Sequence, residues 1–199
     1  MSALPLSSRR GSTILAATAA ALLLVPLALT PSTASAQASA KAAVKAPAAK
    51  ALDDATIVAI FDAANTVDIE TGKLASERGQ SKEVRDFGAM LVRDHSMVRQ
   101  LGRDLAAKLK VTPTPPANDQ AAVDHAAAMK KLRGLSGVAF DRAFLQHEVA
   151  FHKAVIDAVN TTLMPAIQNA EVKAMVAKVA PAFQGHMLAA QAMLDKMSK

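Results

Sequence analysis

The stretch GVAFDRAFLQHEVAFHKAVI, residues 137–156, carries large apolar side chains at Phe140, Phe144, Leu145, Val149, Phe151, Val155 and Ile156. Steps of three and four residues place them on one arc of an α-helix, the arc that must be buried. The centre of that arc is nevertheless occupied by Asp141, Glu148 and His152. Burying such a group without a partner costs several kcal/mol. The partners must come from other helices, so the neighbouring sequence decides both the fold and the chemistry.

The helical period runs through the whole chain from Asp53 onward, where alanine dominates, β-branched residues are scattered and no strand alternation occurs. The spacing predicts a first long helix over about 53–78, capped by the Asp53/Asp54 pair and stopped by Gly79. A second begins at Ser81 and ends near Lys110, before TPTPPAN (112–118). A short helix over about 119–135 follows, then a third long helix over about 136–161. A loop around Pro165 leads to a fourth long helix over about 169–197. Tight connections at Gly79 and at Pro165 make two antiparallel pairs, and a long connection joins them. The expected fold is therefore all-α: a ferritin-like four-helix bundle with one long crossover carrying a short extra helix, over residues 53–199. A simple up-and-down arrangement would need the 119–135 helix as a full member, and it is too short.

On the second helix Val84, Phe87, Leu91, Val98, Leu101, Leu105 and Leu109 share one arc, with Asp94 and His95 flanking its centre at about 40° and 60°. On the fourth, Val172, Val176, Val179, Phe183, Met187, Ala190 and Leu194 form the stripe and His186 lies about 40° from its centre. On the first, Ile57, Ile60, Phe61, Ala64 and Thr71 flank Asp68, while Glu70 faces away. Every long helix thus turns a carboxylate or an imidazole inward. His147, at the edge of its arc, and His125, on the short helix, read as surface or capping residues. Asp141 has an alternative role near the start of its helix, serving the free N–H groups of the first turn.

Asp68, Asp94, His95, Glu148, His152 and His186 are accordingly the candidate metal ligands. Imidazole and carboxylate donors suit Fe, Mn or Zn. Copper is the weaker choice, because Met90, Met97 and Met187 at helical spacing read as core filler. The di-iron signature Glu-x-x-His is absent: Val92 stands three residues before His95 and Phe183 three before His186. With no Cys, Tyr or Trp in the chain, thiolate ligation, disulfides and aromatic radical relays are excluded. Neither a nucleophile–base pair nor a Gly-rich phosphate loop occurs, so an enzyme is the weaker reading. The alternative to metal binding is a structural or interaction module in which the inward groups form a metal-free network. Pro181 should kink the fourth helix and free a carbonyl near residue 177.

The first fifty residues differ in kind. Arg9 and Arg10 precede the apolar run TILAATAAALLLVPLALT (13–30), and Ala34-Ser35-Ala36 supplies a small-x-small cleavage pattern. Residues 1–36 are expected to be a secretory signal peptide and 37–52 an Ala/Lys/Pro spacer, giving a periplasmic or secreted protein with outer-membrane association left open. Five of the six units of formal positive charge reside in these first fifty residues: five of the 23 basic residues precede Asp53, and the remaining 18 against 17 acidic residues leave +1. A nearly neutral folded part without aromatic interleaving disfavours nucleic-acid binding. The Lys-bearing spacer is compatible with peripheral contact at the envelope surface. The sequence identifies no protein partner.

VDIETGKLA (67–75), VRDFGAMLVRDHS (84–96), LRGLSGVAFDRAFLQHEVAFHKAV (132–155) and VAPAFQGHMLAA (179–190) together resemble the bacterial domain of unknown function 4142 family, an exported and ferritin-like family. The resemblance covers about 54–193 and marks Glu70, Gly72, Asp94, His95, Asp141, His152, Pro181 and His186. Where that family tends to have Glu and Tyr, this chain has Asp68 and Phe144. The resemblance implies fold and export, and no reaction.

Overall fold

The structure, a computed structural model, describes residues 52–198. The signal peptide expected over 1–36 and, apart from Leu52, the spacer expected over 37–52 lie outside the described residues. Within them the chain is all-helical: α1 (Asp54–Arg78), α2 (Lys82–Leu109), α3 (Gln120–Arg133), α4 (Gly137–Ala158), α5 (Met164–Ala166) and α6 (Ala170–Lys196), with a π-helical turn, Val159–Leu163, joining α4 to α5. None of these helices is long and apolar enough to cross a membrane.

Side-chain caps fix four of the starts. Asp53 accepts from the Thr56 amide at 2.8 Å, Ser81 from Val84 at 3.1 Å, Asp119 from Ala122 at 3.1 Å and Asn169 from Glu171 at 2.8 Å, each satisfying a first-turn N–H that has no partner within its helix. α4 starts differently. Ser136 makes no side-chain cap bond, and the chain enters the helix through Gly137 at φ +59°, a conformation a Cβ would disfavour.

The third long helix does not run unbroken to 161, and Pro165 lies inside a helical turn rather than in a loop. Pro165 has no N–H to give to residue 161, so the backbone re-pairs one residue wider. The Met164 amide donates to the carbonyl of Val159, five residues back, and Pro165 takes the start of α5, where no donor is required.

α1 packs chiefly on α2 and α4 on α6; the two pairs meet along α1–α4 and α2–α6, with α3 leaning on α1 and α4. The α1–α2 contact is backbone-close. A Cβ placed on Gly88 would lie 2.6 Å from the Gly72 carbonyl oxygen, and one on Gly72 would lie 2.7 Å from that of Gly88. Each pair is also clamped by an aspartate of the other. Asp141 accepts from the Gln80 and Ser81 amides, both at 2.8 Å, and Asp54 from those of Gln168 and Asn169 at 3.0 and 2.9 Å. Asp141 thus serves the N-terminus of α2 rather than that of its own helix. As the fifth residue of α4 it points across the seam, not along the axis.

Among the described residues two apolar clusters lie towards opposite ends of the long helices. One gathers Ile57, Phe61, Val159, Leu163, Val172, Val176 and Phe183; the other Ala75, Val84, Phe87, Leu91, Phe140, Phe144 and Leu145. Leu101, expected in the core, is 49% exposed. Beyond His95 the buried face of α2 passes to Gly102 and Ala106, and the Phe61 ring fills the space above Gly102, 3.1 Å from where a Cβ would be.

Gly88→Ala should therefore destabilise the protein by about 1–3 kcal/mol in urea unfolding, even though alanine favours helix by about 1 kcal/mol. Gly185→Ala, with nothing within 4 Å of its Cβ, should be neutral or mildly stabilising. Equal stability for both variants would contradict the close α1–α2 approach.

Candidate metal centre

Between the two apolar clusters each long helix presents polar side chains to one volume: Asn65, Asp68 and Thr71 from α1, His95 from α2, Glu148 and His152 from α4, and His186 from α6, all buried. The periodicity that buries Phe140, Phe144 and Leu145 also buries Glu148 and His152 one and two turns on. Two groups lie close enough to share a cation, with ligand atoms within 4.8 Å of one another: His95, His152 and His186, and Asp68, Glu148 and His152.

Hydrogen bonds fix which ring nitrogens are free. Asn65 gives its amide N–H to the Phe61 carbonyl at 2.8 Å, so its oxygen faces His95 and accepts from Nδ1 at 3.0 Å; Asp68 Oδ2 stands 3.2 Å from the same nitrogen. The proton of His95 is therefore on Nδ1 and the lone pair on Nε2. His152 Nδ1 donates to the Glu148 carbonyl at 3.0 Å, and its buried Nε2 has no partner. His186 Nε2 faces Asp94 Oδ2 at 3.3 Å, while its Nδ1 lies 3.1 Å from His95 Nε2.

A neutral His186 cannot satisfy both neighbours. With its proton on Nε2, for Asp94, two lone pairs confront each other at 3.1 Å; with its proton on Nδ1, for His95, a lone pair faces the Asp94 carboxylate. A cation between the nitrogens removes the conflict. Two imidazole nitrogens on one tetrahedral zinc stand about 3.3 Å apart, for bonds of about 2.0–2.1 Å. The second nitrogen of each ring is held by an acceptor, the arrangement that orients metal-bound imidazoles.

The electrostatics keep the imidazoles neutral. Burial lowers the pKa of His95 to about 3 and that of His152 to about 4, with neighbouring imidazoles adding to both effects. Burial lowers His186 as well, opposed by Asp94. On the other side of His152 the carboxylates are pushed up, Asp68 well above the usual carboxylate range by burial and by the charge of Glu148. Burial raises Glu148 to about 7, partly offset by the Thr71 hydroxyl that donates to Oε1 at 2.8 Å. Asp68 and Glu148 also share a side-chain hydrogen bond, which favours the proton on Asp68 and opposes it on Glu148.

The six expected ligand residues lie in one region but not in one role. The imidazoles of His95, His152 and His186 converge. Asp68 and Asp94 stand behind His95 and His186, and Glu148 faces the Nδ1 side of His152 at 3.5 Å. Asp94 is the outermost, with its side chain 26% exposed and Arg93 donating to Oδ1 at 2.8 Å. Periodicity missed Asn65, the acceptor that sets the His95 tautomer; its signal was an Asn one turn before Asp68 on the same helix face. Phe183, expected only as core, stacks on His95 with planes 8° apart. It also lines an open cleft of about 340 Å³ between the π-helical turn and Pro181.

The chain matches the family described as Domain of unknown function (DUF4142) over residues 36–193 and belongs to it. Among solved structures it is similar to the crystal structure of a DUF305 fragment from Deinococcus radiodurans, at 15% identity and a TM-score of 0.63, covering 71% of this chain and 95% of that one. At this identity the likeness is one of fold alone. No curated protein matches the chain.

Proposed function

We propose that the protein is an exported helical metal-binding protein that holds one transition-metal ion through His95 Nε2, His152 Nε2 and His186 Nδ1, and that it handles metal or limits metal-driven stress in the cell envelope. The observation that carries the reading is the convergence of three imidazole nitrogens whose ring partners are all engaged by acceptors. Three neutral imidazoles with no thiolate suit zinc, iron or copper better than manganese. Asp68 and Asp94 then act as the carboxylates behind the ligands. Two helical pairs joined by a long crossover support a ferritin-like arrangement, in which a bundle core is the usual metal position. The leader over 1–36 supports export, and fractionation of cells making the full chain tests it: a cytoplasmic, uncleaved product would overturn that part.

Untagged protein purified without chelator should carry close to one equivalent of metal in elemental analysis, or take it up when offered zinc or iron. His186→Ala should weaken binding at least 100-fold and Asp94→Asn about 10–100-fold. Protein that stays metal-free in zinc, iron and copper would leave the inward groups as a metal-free network.

The apo protein should also have a stability optimum in pH. His95 and His152 titrate at about 3 and 4 in the native state against 6.5 ordinarily, so below 6.5 the unfolded chain takes up protons that the native one refuses. Stability therefore falls as pH drops from 6.5 towards 4. Glu148, raised to about 7 from 4.5, holds a proton that the unfolded chain gives up, so its contribution is lost as pH rises through 7. The urea midpoint should peak near pH 6–7, each group changing the slope by at most about 1.4 kcal/mol per pH unit. Glu148→Gln should steepen the rise between pH 4.5 and 6.5, the window over which Glu148 loses its contribution. A midpoint climbing steadily from pH 5 to 9 would contradict these shifts.

A further inference from the structure

Two irregular turns face each other across the open cleft of about 340 Å³. The π-helical turn supplies Val159 and Asn160 to one wall, with Ile156 before it and Met164 after it. α6 supplies the other wall around its internal Pro181. The buried Phe183 ring forms the floor, and it stacks on His95 with 5.7 Å between ring centroids. None of the residues that line the cleft is charged. Ile156, Met164 and Ala180 are only partly buried against the apolar core, so a guest that covers them removes apolar surface from water. The α6 wall also holds a polar anchor. Pro181 has no N–H to give to the carbonyl of Ala177, four residues back, and both residues line the cleft. At the rim, the exposed amides of Asn160 and Gln184 add further donors and acceptors. Apolar walls with a few convergent polar groups, at a volume of about 300–1,000 Å³, are the make of small-molecule sites, and π-helical turns recur at functional positions.

We infer that this cleft is a binding site for a small uncharged molecule of one or two fused rings, whose hydrogen-bond donor goes to the Ala177 carbonyl. An ionic ligand is disfavoured, because its charge would be buried against Ile156, Val159 and Phe183 with no counter-charge. The cleft contains none of the proposed metal ligands, so this site goes beyond the metal-binding reading and is tested apart from it. A molecule seated here has the Phe183 ring between itself and His95.

The probe is 1-naphthol, an uncharged bicyclic molecule with one O–H; 1-methoxynaphthalene lacks the donor and 1-naphthalenesulfonate carries a charge. An amide-resolved NMR titration of untagged, chelator-treated protein should show saturable binding of one 1-naphthol, with shifts gathered in residues 156–164 and 177–184. Ala177→Phe fills the cleft from an exposed helix position and should weaken binding about 10-fold or more. The methoxy analogue should bind about 2–10-fold more weakly than 1-naphthol, the worth of one hydrogen bond, and the sulfonate more weakly still. In Pro181→Ala, where residue 181 regains an N–H, the preference for 1-naphthol over its methyl ether should disappear. Circular dichroism checks the fold of both variants. Shifts scattered over the surface, or wild-type affinity in Ala177→Phe, would overturn the site. Equal affinity for 1-naphthol and its methyl ether, tighter binding of the sulfonate, or a preference kept in Pro181→Ala would overturn the chemistry assigned to it.

Discussion

Three buried imidazoles meet where the four long helices face one another: His95 Nε2 and His186 Nδ1 stand 3.1 Å apart, and His152 keeps a buried Nε2 without a partner. The rest of the structure is arranged around the cost of that meeting. A buried imidazole without its charge is tolerable when hydrogen-bonded, and Asn65, the Glu148 carbonyl and Asp94 supply those bonds. What they leave over is a set of lone pairs on His95, His152 and His186, and the proposed cation would satisfy all three at once.

The fold makes this affordable by keeping polar and apolar layers apart along the helix axes. Above and below the histidines the same four helices carry Phe, Leu, Ile and Val, so burial of each end holds the polar layer in place. The two aspartate clamps, Asp54 and Asp141, tie the ends of one helical pair to the other, and the Gly72–Gly88 approach locks α1 to α2. Such devices restrict sliding of one helix past another, which would separate His95 from His186. The neutral form of the rings follows from the same burial that makes the site rigid.

Much of this was legible in the sequence for one reason: helical period. Steps of three and four placed Asp68, His95, Glu148, His152 and His186 inward, and capping chemistry gave the starts at Asp53, Ser81, Asp119 and Asn169. Period does not carry rotation about the axis at the resolution of one side chain. Hence Leu101 was expected in the core, where Gly102 and Ala106 lie instead, and His147 on the surface, where it is half-buried. Nor does period distinguish a residue that faces the centre from one that stands behind a ligand. Asp68 and Asp94 are inward by spacing, and only distances reveal that they face the far nitrogens of His95 and His186. The π-helical turn was invisible for a related reason: a proline signals a break, and the wider pairing that absorbs it depends on Val159 and Met164 in three dimensions.

The most direct test of the central claim is X-ray absorption at the metal edge of the zinc-loaded protein. The account predicts a first shell of three nitrogen donors with the outer-shell scattering of three imidazole rings, reduced by one ring in His186→Ala. A shell dominated by oxygen with one imidazole or none, unchanged in His186→Ala, would move the ion to the carboxylates Asp68 and Glu148 and contradict the three-histidine site.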